Sequence, residues 1–278
     1  IEGAYSCSCI SLSQRKYALD IIEESGLTGC KPIQTPTDSN VQLFPDQGDL
    51  LKNPEKYRKL VGKLNYLTVT TDISFAIGVV SQFSSHWIPH WEAALRIVKY
   101  LKCAPGKGLH FKKNSHSEVK GYYDADWAGS PFDRISITGY CTFVGGNLVS
   151  WRSKKQRVVS RSSAEAKYRA MAHTCSELTW LKSILSEIGI ESLSLASLYC
   201  DNQAAMYIAS NPVNPVFHER IKHIEVDCHF VSEKVKCGDI KLVHTRSEEQ
   251  LADIFTKPFR SARISYICNK LGLFDMNA

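Results

Sequence analysis

Several features that would place a protein in a special class are missing from this 278-residue chain. No apolar run reaches the roughly 20 residues that a membrane-spanning helix needs, and no signal peptide opens the sequence. The ten cysteines show no paired Cys-x-x-Cys spacing and no framework of a small disulfide-rich domain. These absences argue against a membrane or secreted protein, and they predict an intracellular protein whose cysteines stay reduced.

Low-complexity tracts and a strong charge bias are also missing. Lysine and arginine number 34 against 28 aspartates and glutamates, which gives a net charge of +6, and 44% of the residues are hydrophobic. This composition is typical of a globular protein long enough for two domains. Because the sequence starts mid-pattern and without Met, we expect it to be a fragment of a longer protein.

The first 110 residues have mainly helical patterns. Apolar residues recur at helical spacing in four segments, with Asn53 and Pro54 as the cap and first turn of the second. The four segments are 13–26, 53–64, 73–83 and 89–104. Nothing here gathers carboxylates, or His with Cys, so residue types alone predict a helical packing or docking module.

From residue 119 the pattern changes to strands that alternate with helices. We predict strands at 120–127, 138–144, 147–152, 195–200 and 240–244, and helices at 163–188, 202–209, 217–235 and 248–256. The second and third strands form a hairpin across Gly145 and Gly146. This order predicts an α/β fold with a mixed five-stranded sheet and flanking helices.

Four acidic residues fall at informative places on this plan. Asp124 is in the first strand, Glu165 opens the long helix, Asp201 follows a buried strand and Asp253 is in the last helix. Strand ends and helix first turns meet at one edge of an α/β sheet, where the carboxylates would repel one another without cations. Two magnesium ions, or manganese, about 4 Å apart could activate water and stabilise the leaving oxygen of a phosphodiester.

Each acid also has a structural alternative. Ser162 and Glu165 stand at capping-box spacing, so Glu165 would then only satisfy a backbone donor. Asp201 would be a helix N-cap, and Asp253 a surface residue of an amphipathic helix. Taken one at a time, the acids do not decide between these alternatives and catalysis.

Residues 117–258 resemble the RNase H domain of copia-type (Pseudoviridae) retrotransposon Pol polyproteins of plants. The similar runs are DADWAG, TGYCTFVGGNLVSWRSKKQ, SSAEAKYRAM, CDNQAA and QLADIFTKP. The resemblance places the family's catalytic and metal-binding acids at Asp124, Glu165, Asp201 and Asp253. It favours Asp124 over Asp126, its neighbour on the same strand face, and implies an RNase H-like fold.

Residues 1–112 are similar to the segment that follows the palm of the same family's reverse transcriptase. The runs are ISLSQRKYALDIIEESGL, YRKLVGKLNYL and YLKCAPGKGL. The resemblance implies a thumb and connection region that grips template and primer. The family's polymerase aspartates belong upstream, so we expect no polymerase activity from this chain and a partner role for the upstream palm and fingers. Residues 259–278 would be a C-terminal tail.

One departure from the family bears on the acids. Lys167 stands where the family usually has Glu. Because it lies two residues along a helix from Glu165, we expect its side chain to point away from the acids.

The resemblance implies hydrolysis of the RNA strand of an RNA–DNA hybrid during reverse transcription. Asn202 and Gln203 are candidates for contacts to RNA 2′-hydroxyl groups, or else an ordinary exposed helix start. A basic stretch is a candidate for holding the phosphates of the DNA strand, or else a solvated face. Its predicted nucleic-acid-binding residues are Arg152, Lys154, Lys155 and Arg157.

The alternative function is a catalytically inactive remnant that acts at most as a nucleic-acid-binding or scaffold fragment. In either case we expect no membrane partner and a location in cytoplasmic virus-like particles or the nucleus.

Overall fold

The computed structural model describes residues 1–83, 87–190, 195–210 and 224–276. The chain divides into two compact units: unit 1 combines Ile1–Lys113 with Lys257–Ala278, and unit 2 is Asn114–Thr256. Unit 2 is therefore inserted between two segments of unit 1. Nowhere in the described part of the chain is a helix both long and apolar enough to cross a membrane.

The helices of unit 1 follow the sequence pattern. They are α1 (Arg15–Glu24), α2 (Pro54–Leu67), α3 (Ser74–Val80) and α4 (Ile88–Leu101). Asn53 caps α2 as predicted, since its side-chain oxygen accepts the N–H groups of Glu55 at 3.1 Å and Lys56 at 3.3 Å. The apolar faces of the four helices share one core, so the prediction of a mainly helical region is confirmed.

Unit 1 also contains strands that the sequence did not reveal. They are β1 (Glu2–Tyr5), β2 (Cys9–Ser13) and β3 (Lys107–Lys112), and they pair antiparallel in that order. β1 is exposed along its whole length, so its sequence carries no alternation of buried and exposed residues. β2 pairs with β3, although all four helices lie between these strands in the sequence. A pairing between such remote segments leaves no local pattern in the sequence.

Unit 2 is built on the predicted five-stranded mixed sheet. Its elements are β4 (Val119–Asp126), β5 (Ile137–Val144), β6 (Asn147–Lys155), α5 (Ser163–Glu187), β7 (Ala196–Cys200), α6 (Gln203–Ser210), α7 (Glu225–Lys236) and β8 (Ile240–His244). The strand order is β6-β5-β4-β7-β8, with β4, β5 and β6 antiparallel and β4, β7 and β8 parallel. The helix α5 packs against β4 and β5.

Within the described residues, the last two predicted helices of unit 2 are not found over their full predicted ranges. Of the helix predicted at 217–235, residues 217–223 lie outside the described residues, and the remainder forms α7. The helix predicted at 248–256 was wrong in type, because the chain forms two 3-10 helices, Ser247–Glu249 and Leu251–Phe255. Gln250 separates them in an extended conformation, and its side chain accepts the N–H of Ala252 at 3.2 Å, which starts a new turn.

The segment after unit 2 returns to unit 1. It forms α8 (Ser261–Leu271) and β9 (Leu273–Asp275), and β9 pairs antiparallel with β3. The residues predicted as a C-terminal tail at 259–278 are therefore folded up to 276 and complete the sheet β1-β2-β3-β9. The apolar face of α8, with Ile267 and Cys268 buried, makes this return favourable.

Candidate functional site

Asp124 lies near the end of β4, the central strand of unit 2, and only 2% of it is exposed. Thr256 donates its hydroxyl to Asp124 Oδ2 at 2.6 Å. On the neighbouring strand, Gly139 stands opposite Asp124, and a Cβ there would lie 2.7 Å from Thr256 Cγ2 and 2.8 Å from Phe255 Cβ. The glycine therefore lets the second 3-10 helix and Thr256 approach Asp124.

Asp201 directly follows β7, which runs parallel to β4, and Lys167 joins it to Asp124. The Lys167 ammonium contacts Asp201 Oδ1 and lies 3.3 Å from Asp124 Oδ1. Burial opposes the charge on Lys167, but the two carboxylates outweigh it and raise the lysine pKa above its ordinary value. Lys167 is thus an ammonium ion held between two acids at neighbouring strand ends.

The expectation that Lys167 points away from the acids was wrong. Residues 165 and 167 lie roughly 200° apart around a helix, so helix geometry separates their directions without showing which one faces the sheet's acids. The structure turns Lys167 toward Asp124 and Asp201.

Glu165 is buried in the first turn of α5 and is held by its own segment. Its Oε2 accepts the N–H of Arg161 at 2.7 Å, and its Oε1 lies 3.1 Å from the guanidinium of Arg169. Ser162 accepts the N–H of Glu165 at 3.2 Å and caps the helix. Glu165 therefore satisfies a backbone donor, as the capping alternative predicted. The donor is the N–H of Arg161, however, and not that of Ser162.

Asp253 lies in the second 3-10 helix, which packs against β4 and β5. It is 5% exposed, so the alternative of a surface residue is wrong. Thr256, which donates to Asp124, also donates its hydroxyl to the Asp253 carbonyl at 3.1 Å. This bond links the segment that carries Asp253 to the environment of Asp124.

The acids do not form a metal site as they are placed. Within the described ranges, no group of three or more His, Cys, Asp or Glu side chains is arranged to hold a metal ion. Lys167 lies between Asp124 and Asp201, and Arg169 binds Glu165. The arrangement therefore does not fit the two magnesium ions expected from the sequence.

Asp126, the neighbouring acid on β4, lies at the turn that follows the strand. Its backbone carbonyl accepts the N–H of Gly129 at 3.2 Å, and its carboxylate covers the place where a Cβ of Gly129 would lie. The next residue, Trp127, is 47% exposed and donates its indole N–H to the Ser160 carbonyl at 2.9 Å.

The two polar residues after Asp201 differ from each other. Asn202 accepts the N–H of Ala205 at 2.9 Å through its side chain and so caps α6, the role considered for Asp201. Gln203 is exposed in the first turn of the helix. Contacts of either residue with RNA stay a prediction.

A cavity of about 630 Å³ brings together the basic residues near β6. It lies between β6, the segment after it, α5 and α7, and we call it the basic groove. Its basic lining residues are Arg152, Lys154, Lys155, Arg157, Arg169 and His173, and the acids Glu177 and Asp227 line it as well. All four predicted nucleic-acid-binding cations therefore line one groove, although no bound nucleic acid tests their role.

The cations of the basic groove are not equivalent. Lys155 pairs with Asp133 at 2.5 Å, whereas Arg152 and Arg157 are exposed. Burial lowers the pKa of His173 while the nearby Asp227 acts in the opposite direction, so the imidazole favours its neutral form. The groove thus carries its positive charge mainly on arginine and lysine.

Sequence reasoning missed Arg169 and His173 of the basic groove. A signal existed, since they stand four residues apart on α5 and so share a helix face. Only the structure shows that this helix face lines the same cavity as the basic residues of β6.

The chain is 40% identical over 271 residues to the retrovirus-related Pol polyprotein from transposon RE2 of Arabidopsis thaliana, a match that covers 96% of this chain and 18% of that protein. It is 37% identical over 257 residues to the Pol polyprotein from transposon TNT 1-94 of Nicotiana tabacum, covering 88% of this chain and 19% of that protein. The chain is thus similar, over nearly its whole length, to retrovirus-related Pol polyproteins of plant transposons.

The chain spans about a fifth of the length of these Pol polyproteins. No protein-family model matches it. Among solved structures, LC11-RNase H1, isolated from compost, matches with a TM-score of 0.37 and 17% identity, covering 50% of this chain and 93% of that chain.

Proposed function

We propose that unit 2 is the RNase H of a retrotransposon Pol polyprotein and hydrolyses the RNA strand of RNA–DNA hybrids. The observation that carries this proposal is the meeting of Asp124 and Asp201 at the ends of adjacent parallel strands. In α/β sheets, ligands bind at this edge. Buried carboxylates at such an edge indicate a reaction site rather than a packing contact.

The position of the basic groove supports a nucleic-acid substrate. Lys167, which reaches the two acids, and His173, which lines the groove, lie on the same helix. They are separated by roughly 9 Å along the helix axis, or two to three nucleotides at about 3.4 Å per nucleotide. One strand of a hybrid could therefore contact the groove while a nearby phosphodiester faces the acids.

The parts of the substrate would be recognised separately. Phosphates of the DNA strand would bind the exposed cations Arg152, Lys154 and Arg157. Gln203, exposed next to the site, would contact the 2′-hydroxyl groups that distinguish RNA from DNA. Asn202 would support this contact by fixing the start of α6.

Unit 1 would work beside this nuclease as the thumb and connection of the reverse transcriptase. The partner that supplies polymerase chemistry would be the palm and fingers of the full polyprotein. We place the activity inside the cell, in cytoplasmic particles or the nucleus, where the hybrid intermediate of reverse transcription is made.

A second candidate function is favoured by Lys167. Because its ammonium compensates part of the charge of Asp124 and Asp201, unit 2 can fold without a bound cation between them. The basic groove would then hold a hybrid that is not cut, and the fragment would act as a nucleic-acid-binding remnant.

Cleavage of an end-labelled RNA–DNA hybrid by the whole chain tests the two functions. With magnesium or manganese we expect the RNA strand to be cut, and DNA duplex of the same sequence to stay intact. Asp124→Asn and Asp201→Asn should remove the cutting. The matched control Asp239→Asn alters an acid that pairs with Lys182 and Lys234, and it should cut normally.

The outcomes separate the candidates. Salt-dependent binding of the hybrid without any cutting would support the binding remnant and overturn the nuclease. A hybrid that is neither bound nor cut would overturn both functions.

A further inference from the structure

We propose that Lys167 occupies the position of a divalent cation between Asp124 and Asp201 and competes with magnesium for it. The proposal deepens the proposed function and rests on it, because it concerns the same carboxylates. It accounts for the disagreement between the acids, which predict a metal site, and their arrangement, which does not form one.

Lys167 is built into this position. Its side chain is 15% exposed, and those of Asp124 and Asp201 are 2% and 10% exposed. The ammonium contacts Oδ1 of both acids, whose carboxylates belong to the ends of neighbouring strands. A lysine that merely rested on the surface would not be shared between a buried acid and a largely buried one.

The remaining carboxylate oxygens also have polar partners. Thr256 donates to Asp124 Oδ2 at 2.6 Å, and Ser247 donates to Asp201 Oδ2 at 3.5 Å. Each of the four oxygens is therefore engaged by a protein group. A hard cation that binds Oδ1 of both acids would have to displace the ammonium that contacts these two oxygens.

The two cations cannot share the position. Magnesium binds carboxylate oxygens at about 2.1 Å, and the ammonium lies 3.3 Å from Asp124 Oδ1. A magnesium ion on this oxygen would thus lie at most about 5.4 Å from the ammonium, where like charges repel. Occupancy by magnesium requires Lys167 to move away.

The charges also show what removal of Lys167 would do. Two carboxylates and one ammonium leave one negative charge in excess, and without the lysine the excess becomes two in a largely buried place. Such a pair of acids recruits a cation or loses stability. The folded state of Lys167→Met should therefore depend on a divalent cation, whereas that of the natural chain should not.

Calorimetric titration of the whole chain with manganese, together with thermal unfolding at increasing manganese concentration, tests this inference. We expect Lys167→Met to bind manganese at least tenfold more tightly than the natural chain and to unfold at temperatures that rise with manganese concentration. The matched control is Lys182→Met, which removes another lysine of α5 that pairs with an acid, Asp239. It should behave like the natural chain.

Two further variants keep the test decisive if Lys167→Met folds poorly. Lys167→Arg retains a cation between the acids and should match the natural chain in its weak manganese binding. Lys167→Met combined with Asp201→Asn removes one of the repelling acids, so it should fold without manganese and gain nothing from it. Tight, saturable manganese binding by the natural chain that Asp201→Asn abolishes would overturn the inference.

These readouts separate this inference from the nuclease proposal. If Lys167→Met binds manganese tightly and still leaves the hybrid uncut, the nuclease proposal fails and the role of Lys167 stands. If the natural chain cuts the hybrid and binds manganese as tightly as Lys167→Met, the role of Lys167 fails and the nuclease stands.

Discussion

Both units bury a lysine against acids, but they balance the charges differently. In unit 1, Lys107 lies 3.4 Å from Asp72, and Tyr100 and Cys268 donate to the same carboxylate at 2.5 Å and 3.1 Å. One acid meets one ammonium there. In unit 2, two acids share Lys167.

The cluster in unit 1 has the properties of a structural centre. Burial raises the pKa of Tyr100 and of Cys268, and the charge of Asp72 adds to both shifts, so hydroxyl and thiol stay protonated as donors. These side chains come from α4, β3, α8 and the residue pair before α3, and they join the returning segment to the rest of the unit. A balanced cluster needs no ligand.

The cluster in unit 2 lacks this balance. Its excess negative charge lies at strand ends, where a sheet of this type binds ligands. The difference indicates that Lys107 stabilises the packing of unit 1, whereas Lys167 takes the place of a bound cation in unit 2. Four substitutions test this difference between the two units.

The largest effect is expected from Asp72→Ala in unit 1. It leaves the buried Lys107 ammonium without its counter-charge, which costs about 3–5 kcal/mol of unfolding free energy. Urea denaturation followed by far-UV circular dichroism measures it. Asp72→Asn combined with Lys107→Met removes both charges and should recover much of the loss. A loss below about 1 kcal/mol would show that the cluster is not structural.

Gly139→Ala should destabilise unit 2 by about 1–3 kcal/mol, because the new methyl group would overlap Thr256 and Phe255 beside Asp124. Gly62→Ala in unit 1 is the matched control. Gly62 lies within α2 with open space around it, so alanine there should raise stability by up to about 1 kcal/mol. Equal effects of the two changes in urea denaturation would contradict the close packing at Asp124.

Asp201→Asn should change the stability of unit 2 by no more than about 1 kcal/mol, in contrast to Asp72→Ala. Lys167 keeps Asp124 as a partner, and the change removes the excess negative charge. The same urea experiment measures it. A loss as large as that of Asp72→Ala would mean that the cluster in unit 2 is also structural.

The smallest effect is expected from Arg152→Ala in the basic groove of unit 2. Loss of one phosphate contact should weaken hybrid binding several-fold and lower the slope of log affinity against log salt concentration by about 1. Fluorescence anisotropy at several salt concentrations measures both quantities. Lys63→Ala removes a unit 1 lysine that pairs with Glu24, and it should leave the slope unchanged. Equal slopes for the two variants would show that the basic groove does not bind the hybrid.

Much of this architecture was predictable from sequence because its signals are local. Helical spacing, the Asn53 cap and the hairpin at Gly145 and Gly146 all lie within short windows. The same holds for the strand that contains Asp124 and the strand that Asp201 follows. Pairings between remote segments were not predictable. The sheet of unit 1 joins β2 to β3 and β3 to β9 across most of the chain.

The candidate site shows the same limit. The acids could be assigned to elements, but helix geometry did not reveal that Lys167 faces them, since that depends on how α5 is rotated against the sheet. The four basic residues of β6 and its continuation were predictable as a run. Arg169 and His173 joined them only through packing.

The return of the chain from unit 2 to β9 has a consequence for the order of events during protein synthesis. β3 is made first, and its partner β9 emerges only after Asn114–Thr256, a stretch of 143 residues counted inclusively (256 − 114 + 1). At about 5–20 residues per second, a ribosome needs roughly 7 to 29 s to make that stretch. One edge of β3 stays unpaired for this time, while all residues of unit 2 become available to fold. Unit 2 can therefore be complete on the ribosome before unit 1 is.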